Sequence, residues 1–169
     1  AAARPAGTRL MVIDDLADRP HDCDLLLDQN LGHEAGDYVG LVPERCVLLT
    51  GPHHALLRPE FAEMRAKSLA DRDGRGLRHL LITMGGVDQA DATSAVLTAL
   101  RDAPLPEGLR ITVIMGALAP ALERVRALAA GMPRPTEVAV DVACMAARMA
   151  SADLAISAAG GTTWERCCL

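Results

Sequence analysis

Aromatic side chains make up only 2% of this 169-residue chain, with one Trp, one Tyr and one Phe. So few rings exclude a base-stacking nucleic-acid surface, because such surfaces hold bases against aromatic faces. Excess positive charge is missing too. The formal net charge is −5, so nothing attracts nucleic acid or an anionic membrane to the chain as a whole. Any phosphate bound here must be held by local geometry. No apolar run approaches the ~20 residues of a membrane span. The start, Ala1-Ala2-Ala3-Arg4-Pro5-Ala6-Gly7, has neither a signal-peptide core nor an initiator Met. Cysteines number five (Cys23, Cys46, Cys144, Cys167 and Cys168), an odd count without paired metal-ligand spacing. They read as the thiols of a reduced, cytoplasmic protein with no zinc site. The chain also lacks a repeat of solenoid period, a low-complexity tract, and any Ser or Cys on a nucleophile elbow.

What is abundant is aliphatic. Half of the residues are hydrophobic, mostly Ala, Leu, Val and Met, enough to pack one ordinary domain or one domain and part of another. Short continuous apolar runs end in acidic or amide residues. Residues 9–13 stop at Asp14-Asp15, residues 23–27 at Asp28-Gln29-Asn30, and residues 46–50 at the turn Gly51-Pro52. Runs of this kind suit parallel strands covered on both faces and carrying chemistry at their tips. Pro59 fits the first position of a helix that continues over residues 60–70, and the polar stretch Asp71-Arg72-Asp73-Gly74-Arg75-Gly76 reads as a domain boundary.

Beyond that boundary strand and helix alternate. Strands are expected over residues 77–84, 110–115, 136–140 and 153–157. Helices are expected over 90–100, 119–130 and 142–150 and from Thr162 onward, with Asp88 or Asp91 capping the first. The pattern predicts an α/β fold with an open, Rossmann-like parallel sheet. Domains are expected at residues 1–50, the remnant of a first Rossmann-like unit, at 51–76, a linker with a connecting helix, and at 77–169, a nucleotide-binding unit. Both ends read as interrupted.

Two glycine turns follow strands. Gly85-Gly86 can bring a diphosphate close to the backbone, or serve as a plain strand-to-helix turn. In Gly160-Gly161-Thr162-Thr163-Trp164-Glu165, the hydroxyls can meet phosphate and Glu165 can accept two hydrogen bonds from a ribose. The same Thr-x-x-Glu spacing also fits a capping box, Thr162 capping the helix and Glu165 bonding back. The loop Val140-Asp141-Val142-Ala143 reads as an ordinary connection. Asp18, His21, Asp22, Cys23 and Asp24 are too nearly adjacent to face one metal ion, and read as a polar loop. His53-His54 read as exposed loop residues, and His33 and His79 as incidental.

In combination these segments are more specific than any one alone. Ile13-Asp14-Asp15-Leu16-Ala17-Asp18-Arg19, His21-Asp22-Cys23-Asp24-Leu25-Leu26-Leu27-Asp28-Gln29-Asn30, Tyr38-Val39-Gly40-Leu41-Val42-Pro43, Gly51-Pro52-His53-His54-Ala55-Leu56-Leu57-Arg58-Pro59-Glu60-Phe61, Met84-Gly85-Gly86-Val87-Asp88 and residues 160–166 occur in order. The chain so read resembles the UDP-sugar hydrolases of pseudaminic acid biosynthesis, relatives of the GT-B glycosyltransferases. The resemblance implies a GT-B-like two-domain architecture, here with an incomplete N-terminal and a truncated C-terminal domain. It implies water attack at the anomeric carbon of a UDP-linked diacetamido sugar, on the route to nonulosonic acids that decorate flagellin or surface polysaccharide. It also implies that Glu165 meets the ribose, Gly161 and Thr162 lie near the phosphates, Gly85 and Gly86 line the cleft, and Val142 to Met145 meet uracil. No metal or other cofactor is required. The family's Gly-x-Gly-His motif is absent and His54 stands where relatives carry Tyr, so no catalytic residue is assigned. A UDP-sugar-dependent glycosyltransferase or spore-coat polysaccharide protein with the same nucleotide half is the alternative.

Overall fold

The computed structural model describes residues 7–72, 74 and 76–169. The chain forms two compact units, Ala1–Leu56 and Leu57–Leu169.

In the first unit, strands β1 (Met11–Ile13), β2 (Leu25–Asp28) and β3 (Val47–Thr50) make a parallel sheet in the order β1-β2-β3. Met11 pairs with Leu25, and Leu25 with Val47. The three strands come from the three apolar runs, each starting one or two residues late. At β1 the reason is local. Leu10 gives its N–H to the Asp24 carboxylate and its carbonyl to the Asp24 and Leu25 N–H groups, in place of a ladder. Cys23, Leu26 and Tyr38 are fully buried and form the core of this unit.

In the second unit β4 (His79–Thr83), β5 (Arg110–Met115), β6 (Thr136–Val140) and β7 (Leu154–Ser157) form a parallel sheet in the order β6-β5-β4-β7. All of β4 is buried. Its side chains alternate between faces as strand geometry requires. Leu80 and Ile82 pack with Leu97 of α2 (Ala92–Arg101) and Val125 of α3 (Leu122–Ala130). Leu81 faces the other way, toward Phe61 of α1 (Pro59–Arg72) and Ala146 and Met149 of α4 (Met145–Ala150). Each such Leu or Ile contributes roughly 1.5–3 kcal/mol of burial. A short helix, α5 (Thr162–Cys168), follows β7.

His79 is the polar exception inside β4, at 2% exposure. Its Nδ1 lies 2.9 Å from the Ser151 carbonyl, which can only accept, so Nδ1 carries the proton. Nε2 is then the acceptor for the Thr112 hydroxyl at 2.9 Å. Burial pushes the His79 pKa down and keeps the ring neutral. This histidine is structural.

Two expectations need correction. Residues 51–76 are expected as a linker with a connecting helix, and that helix is packed into a core. α1 packs against α4 and α5, Phe61 is fully buried, and the Ser68 hydroxyl donates to the Leu169 carbonyl at 3.0 Å. The helix therefore belongs to the second unit, which begins at Leu57 rather than near residues 71–76. Asp73 and Arg75 of the expected boundary lie outside the described residues. Helix starts also move inward. α4 begins at Met145 instead of Val142, because Cys144 is its N-cap, with a φ of −107° and a ψ of 69° outside the helical region. α2 begins at Ala92, since the Asp88 carboxylate already holds the Ala92 and Thr93 N–H groups at 3.0 and 2.8 Å.

Where β5 ends, the Gly116 N–H donates to the Gly86 carbonyl at 2.9 Å. A Cβ on Gly116 would stand 2.4 Å from that same oxygen. The contact is backbone on backbone and cannot give way by side-chain motion. Gly116→Ala is therefore expected to cost ~1–3 kcal/mol, as overpacking does, and to displace the Gly85-Gly86 loop. Urea denaturation and amide chemical shifts of residues 84–88 measure both effects.

Candidate functional site

In a parallel sheet every strand exits at the same end. Here the loops after β4, β5, β6 and β7 are gathered along one edge of the second unit. β4 lies between β5, reached by one crossover, and β7, reached from the far side of the sheet. The chain thus reverses its winding between β4 and β7. Ligands of open α/β sheets bind in the crevice outside the strand ends at such a switch point. The loops that leave this pair of strands are the two glycine turns picked out in the sequence.

At the β4 exit Gly85 has a φ of 93°, and at the β7 exit Gly160 has a φ of 141°. Both values lie where side chains are strained. A Cβ on Gly85, Gly86, Gly160 or Gly161 would meet no heavy atom within 4 Å. The turns are therefore open, and their backbones can be approached. The amides at the start of α2 cannot serve an anion in the same way, because Asp88 holds two of them. Burial pushes the Asp88 carboxyl up, but the Thr93 hydroxyl and the Thr93 and Ala92 N–H groups outweigh it and hold its pKa low.

At the second turn the capping box does not form. Gly161 is the N-cap, with no side-chain cap bond, and Thr162 is already helical. The Thr162 and Thr163 hydroxyls accept hydrogen bonds from the Arg166 guanidinium at 3.0 Å each. Glu165 turns away from its own helix start. Its Oε1 accepts from Arg58 Nε at 3.2 Å, and its side chain is 13% exposed. Arg58 is also paired with Glu60 at 3.1 Å and stacks 5.0 Å from the centre of the Phe61 ring. Glu165 Oε2 is buried with no hydrogen-bond partner among the described residues. A buried carboxylate oxygen without a donor costs free energy, and a ligand hydroxyl would supply one.

Val142 and Met145 lie at the β6 exit. They are half-buried and pack beside Ala146 in the apolar layer under α1 and α4. Asp141 next to them accepts the Ala117 N–H at 2.9 Å, tying the β6 exit to the β5 exit. The expected residues therefore lie along one sheet edge, at β6, β4 and β7. Arg58, Arg166 and Gly116 were not anticipated. Arg58 stands in the quoted segment around Pro59, but nothing local marks it as the partner of a residue 107 positions away.

With that edge in view, comparison with known proteins can be weighed. Over 82 residues, 48% of its length, the chain is 38% identical to UDP-2,4-diacetamido-2,4,6-trideoxy-beta-L-altropyranose hydrolase of Campylobacter jejuni. The chain is similar to a UDP-sugar hydrolase. The matched stretch covers 28% of that relative's length. No protein-family model matches the chain. Among the described residues no helix is long and apolar enough to cross a membrane.

The first unit carries a second polar cluster, at the tips of β1 and β2. The Asp14 and Asp28 side chains are 1% and 0% exposed. The Tyr38 hydroxyl stands 2.8 Å from Asp28 Oδ2 and 3.0 Å from Asp14 Oδ2. It has one proton and can donate to one of them at a time. His33 Nδ1 meets Asp28 Oδ2 at 2.5 Å. His21 Nε2 and an Arg19 nitrogen lie 3.2 and 3.3 Å from Asp14 Oδ1, the histidine without hydrogen-bond geometry. Burial raises the Asp14 carboxyl, but the Ala17 N–H, Tyr38 hydroxyl, Leu16 N–H and His21 charge overcome it and bring its pKa to about 2. Asp28 is likewise held low against its burial, by the Asn30 N–H, His33 and Tyr38. Burial, then the two carboxylates, push the Tyr38 hydroxyl up. The hydrogen bond to Asp28 raises His33. His33 is thus no incidental loop residue. His53 and His54 are exposed, as their turn implied. In the stretch read as a polar loop, His21 turns to Asp14, Asp22 to Arg45 at 2.9 Å, and Cys23 into the core.

The signs of these shifts fix a pH profile for the first unit. The lowered carboxylates stabilise it fully above the unfolded value of ~3.9, and this is lost as pH falls through the folded value, about 2 for Asp14. The raised His33 stabilises below its unfolded ~6.5, and that contribution is lost as pH rises through its higher folded value. Near-UV circular dichroism of the single tyrosine should report weakening on both sides. Tyr38→Phe should cost ~1–3 kcal/mol, the penalty for buried acceptors left without their donor, measured by urea denaturation at neutral pH.

Proposed function

We propose that the second unit binds the UDP moiety of a sugar nucleotide at the β4–β7 switch point. On this reading the chain is part of a hydrolase that releases UDP and a free diacetamido-trideoxy sugar for nonulosonic acid synthesis. The observation that carries the proposal is the pairing of the two open glycine turns on adjacent parallel strands, with the half-satisfied Glu165 carboxylate one helical turn beyond. In support stands the partial similarity to a protein whose name specifies that hydrolysis.

The parts divide by chemistry. The exposed backbone of Gly85, Gly86, Gly160 and Gly161 offers N–H groups to the diphosphate without steric cost. Stabilising the charge that builds on the leaving diphosphate is the main catalytic demand when water displaces it from the anomeric carbon. Glu165 holds the ribose diol through Oε2, with Oε1 fixed by Arg58. Val142 and Met145 lie against uracil. From the β6 exit to the β7 exit spans three interstrand gaps, ~14 Å at ~4.8 Å each, room for an extended nucleoside diphosphate. The water-activating residue is not among those assigned.

Calorimetric titration of the chain with UDP, against ADP and GDP, tests the reading. UDP should bind in preference. Glu165→Ala should weaken it ten- to a hundredfold, the loss of one charge-assisted contact worth ~1.5–3 kcal/mol. A cooperative thermal melt with equal or absent binding of all three nucleotides would overturn it.

A further inference from the structure

Cys23 and Cys46 form a contact that the proposed nucleotide site does not use. Cys23 lies two residues ahead of β2 and Cys46 immediately ahead of β3. These strands are parallel neighbours, with Leu25 opposite Val47. By that register Cys46 stands beside Asp24, one residue from Cys23, so the two cysteines are diagonal neighbours: ~4.8 Å between strands and ~3.3 Å along one of them put their Cα atoms about 6 Å apart, within the ~4.4–6.8 Å that a disulfide accepts. The side chains point at one another, with the two Sγ atoms 3.5 Å apart. The environments are unequal. Cys23 is fully buried in the core of the first unit beside Leu26 and Tyr38, whereas Cys46 reaches partly to solvent. One thiol is open to an oxidant and the other waits behind it.

We propose that Cys23 and Cys46 are a redox-sensitive pair that a hydroperoxide converts to a disulfide within the first unit. The Cys46 thiolate attacks the peroxide oxygen, the O–O bond breaks, and Cys46 becomes a sulfenic acid while the peroxide leaves as water or an alcohol. The Cys23 sulfur then attacks the Cys46 sulfur, the S–O bond breaks, and hydroxide departs with the Cys23 proton as water. Two thiols are oxidised by two electrons and one peroxide is reduced. Burial first, and then the hydrogen bond and charge of Cys46 with those of Asp24 and Asp22, push the Cys23 thiol up to about 11. Cys23 is therefore held protonated, and the peroxide meets Cys46 first. The other cysteines lie in the second unit. Cys144 and Cys167 are exposed and Cys168 is half-buried, so they serve as internal controls.

The bond would close the chain between Cys23 and Cys46, a segment holding β2, His33 and Tyr38. Shortening the unfolded chain in this way stabilises the folded unit. The test treats the 169-residue chain with an equimolar amount of hydrogen peroxide, blocks remaining thiols with iodoacetamide in denaturant, and maps peptides without reduction. The expected result is a linked pair of peptides containing Cys23 and Cys46, with the intact mass lower by two hydrogens before blocking. Dithiothreitol should reverse it. The urea midpoint reported by the single tyrosine should rise on oxidation. Cys46→Ser should abolish the link and Cys167→Ser leave it. Recovery of alkylated Cys23 beside sulfinic Cys46, or links confined to Cys144, Cys167 and Cys168, would overturn the proposal. Because the mapping uses the unaltered chain, it decides even where a variant fails to fold.

Discussion

The second unit depends on the pairing of β4 with two parallel neighbours at once. Its backbone is bonded to β5 on one side and β7 on the other, and its side chains are covered on both faces. A strand so placed leaves no polar backbone group to solvent and no apolar side chain exposed. It also decides where chemistry can happen. Since β4 and β7 run in the same direction, the loops that follow them emerge side by side, although residues 84–153 separate the two strands in sequence. The Asp153 carboxylate strengthens this choice of partner at the other end. It accepts the Arg78 and His79 N–H groups at 2.8 Å each and pins the start of β4 to the start of β7.

Burial then dictates how the polar groups are used. His79 inside β4 is tolerated because both ring nitrogens are bonded. Asp14 and Asp28 are tolerated because backbone amides, a phenol and imidazoles surround them. Six buried side-chain atoms have no hydrogen-bond partner among the described residues, Asp91 Oδ1 and Glu165 Oε2 being the carboxylate oxygens among them; of the two carboxylates, Glu165 lies beyond the β7 exit. One oxygen is held by Arg58 and the other by nothing among the described residues. A buried oxygen left so costs stability, and a ligand that donated to it would recover that cost.

Helix α1 changes how the chain is divided. It carries Arg58 just ahead of its first residue and Phe61 at its core-facing side, and it is packed on the same layer as α4 and α5. The guanidinium that orients Glu165 thus comes from a helix outside the alternating pattern. The second unit is built from residues on both sides of the polar stretch 71–76.

Local sequence alone determined which strands, helices and open turns occur and in what order, though many of their first residues lay one to three positions further on. Apolar runs of strand length, glycine after each of two of them, and Pro59 at a helix start are short-range signals, and they led to β5 and β6 at their observed bounds. Residue pattern also marked Glu165 as a group able to meet a ribose. Tertiary structure decided the partners. That Arg58 holds Glu165, that Tyr38 joins Asp14 to Asp28, that Gly116 must lack a side chain, and that α1 belongs to the second unit all follow from contacts between distant segments. Periodicity and turn chemistry act over a few residues, through dihedral preference and side-chain direction. Strand order and packing bring together groups whose separation along the chain carries no trace of their meeting.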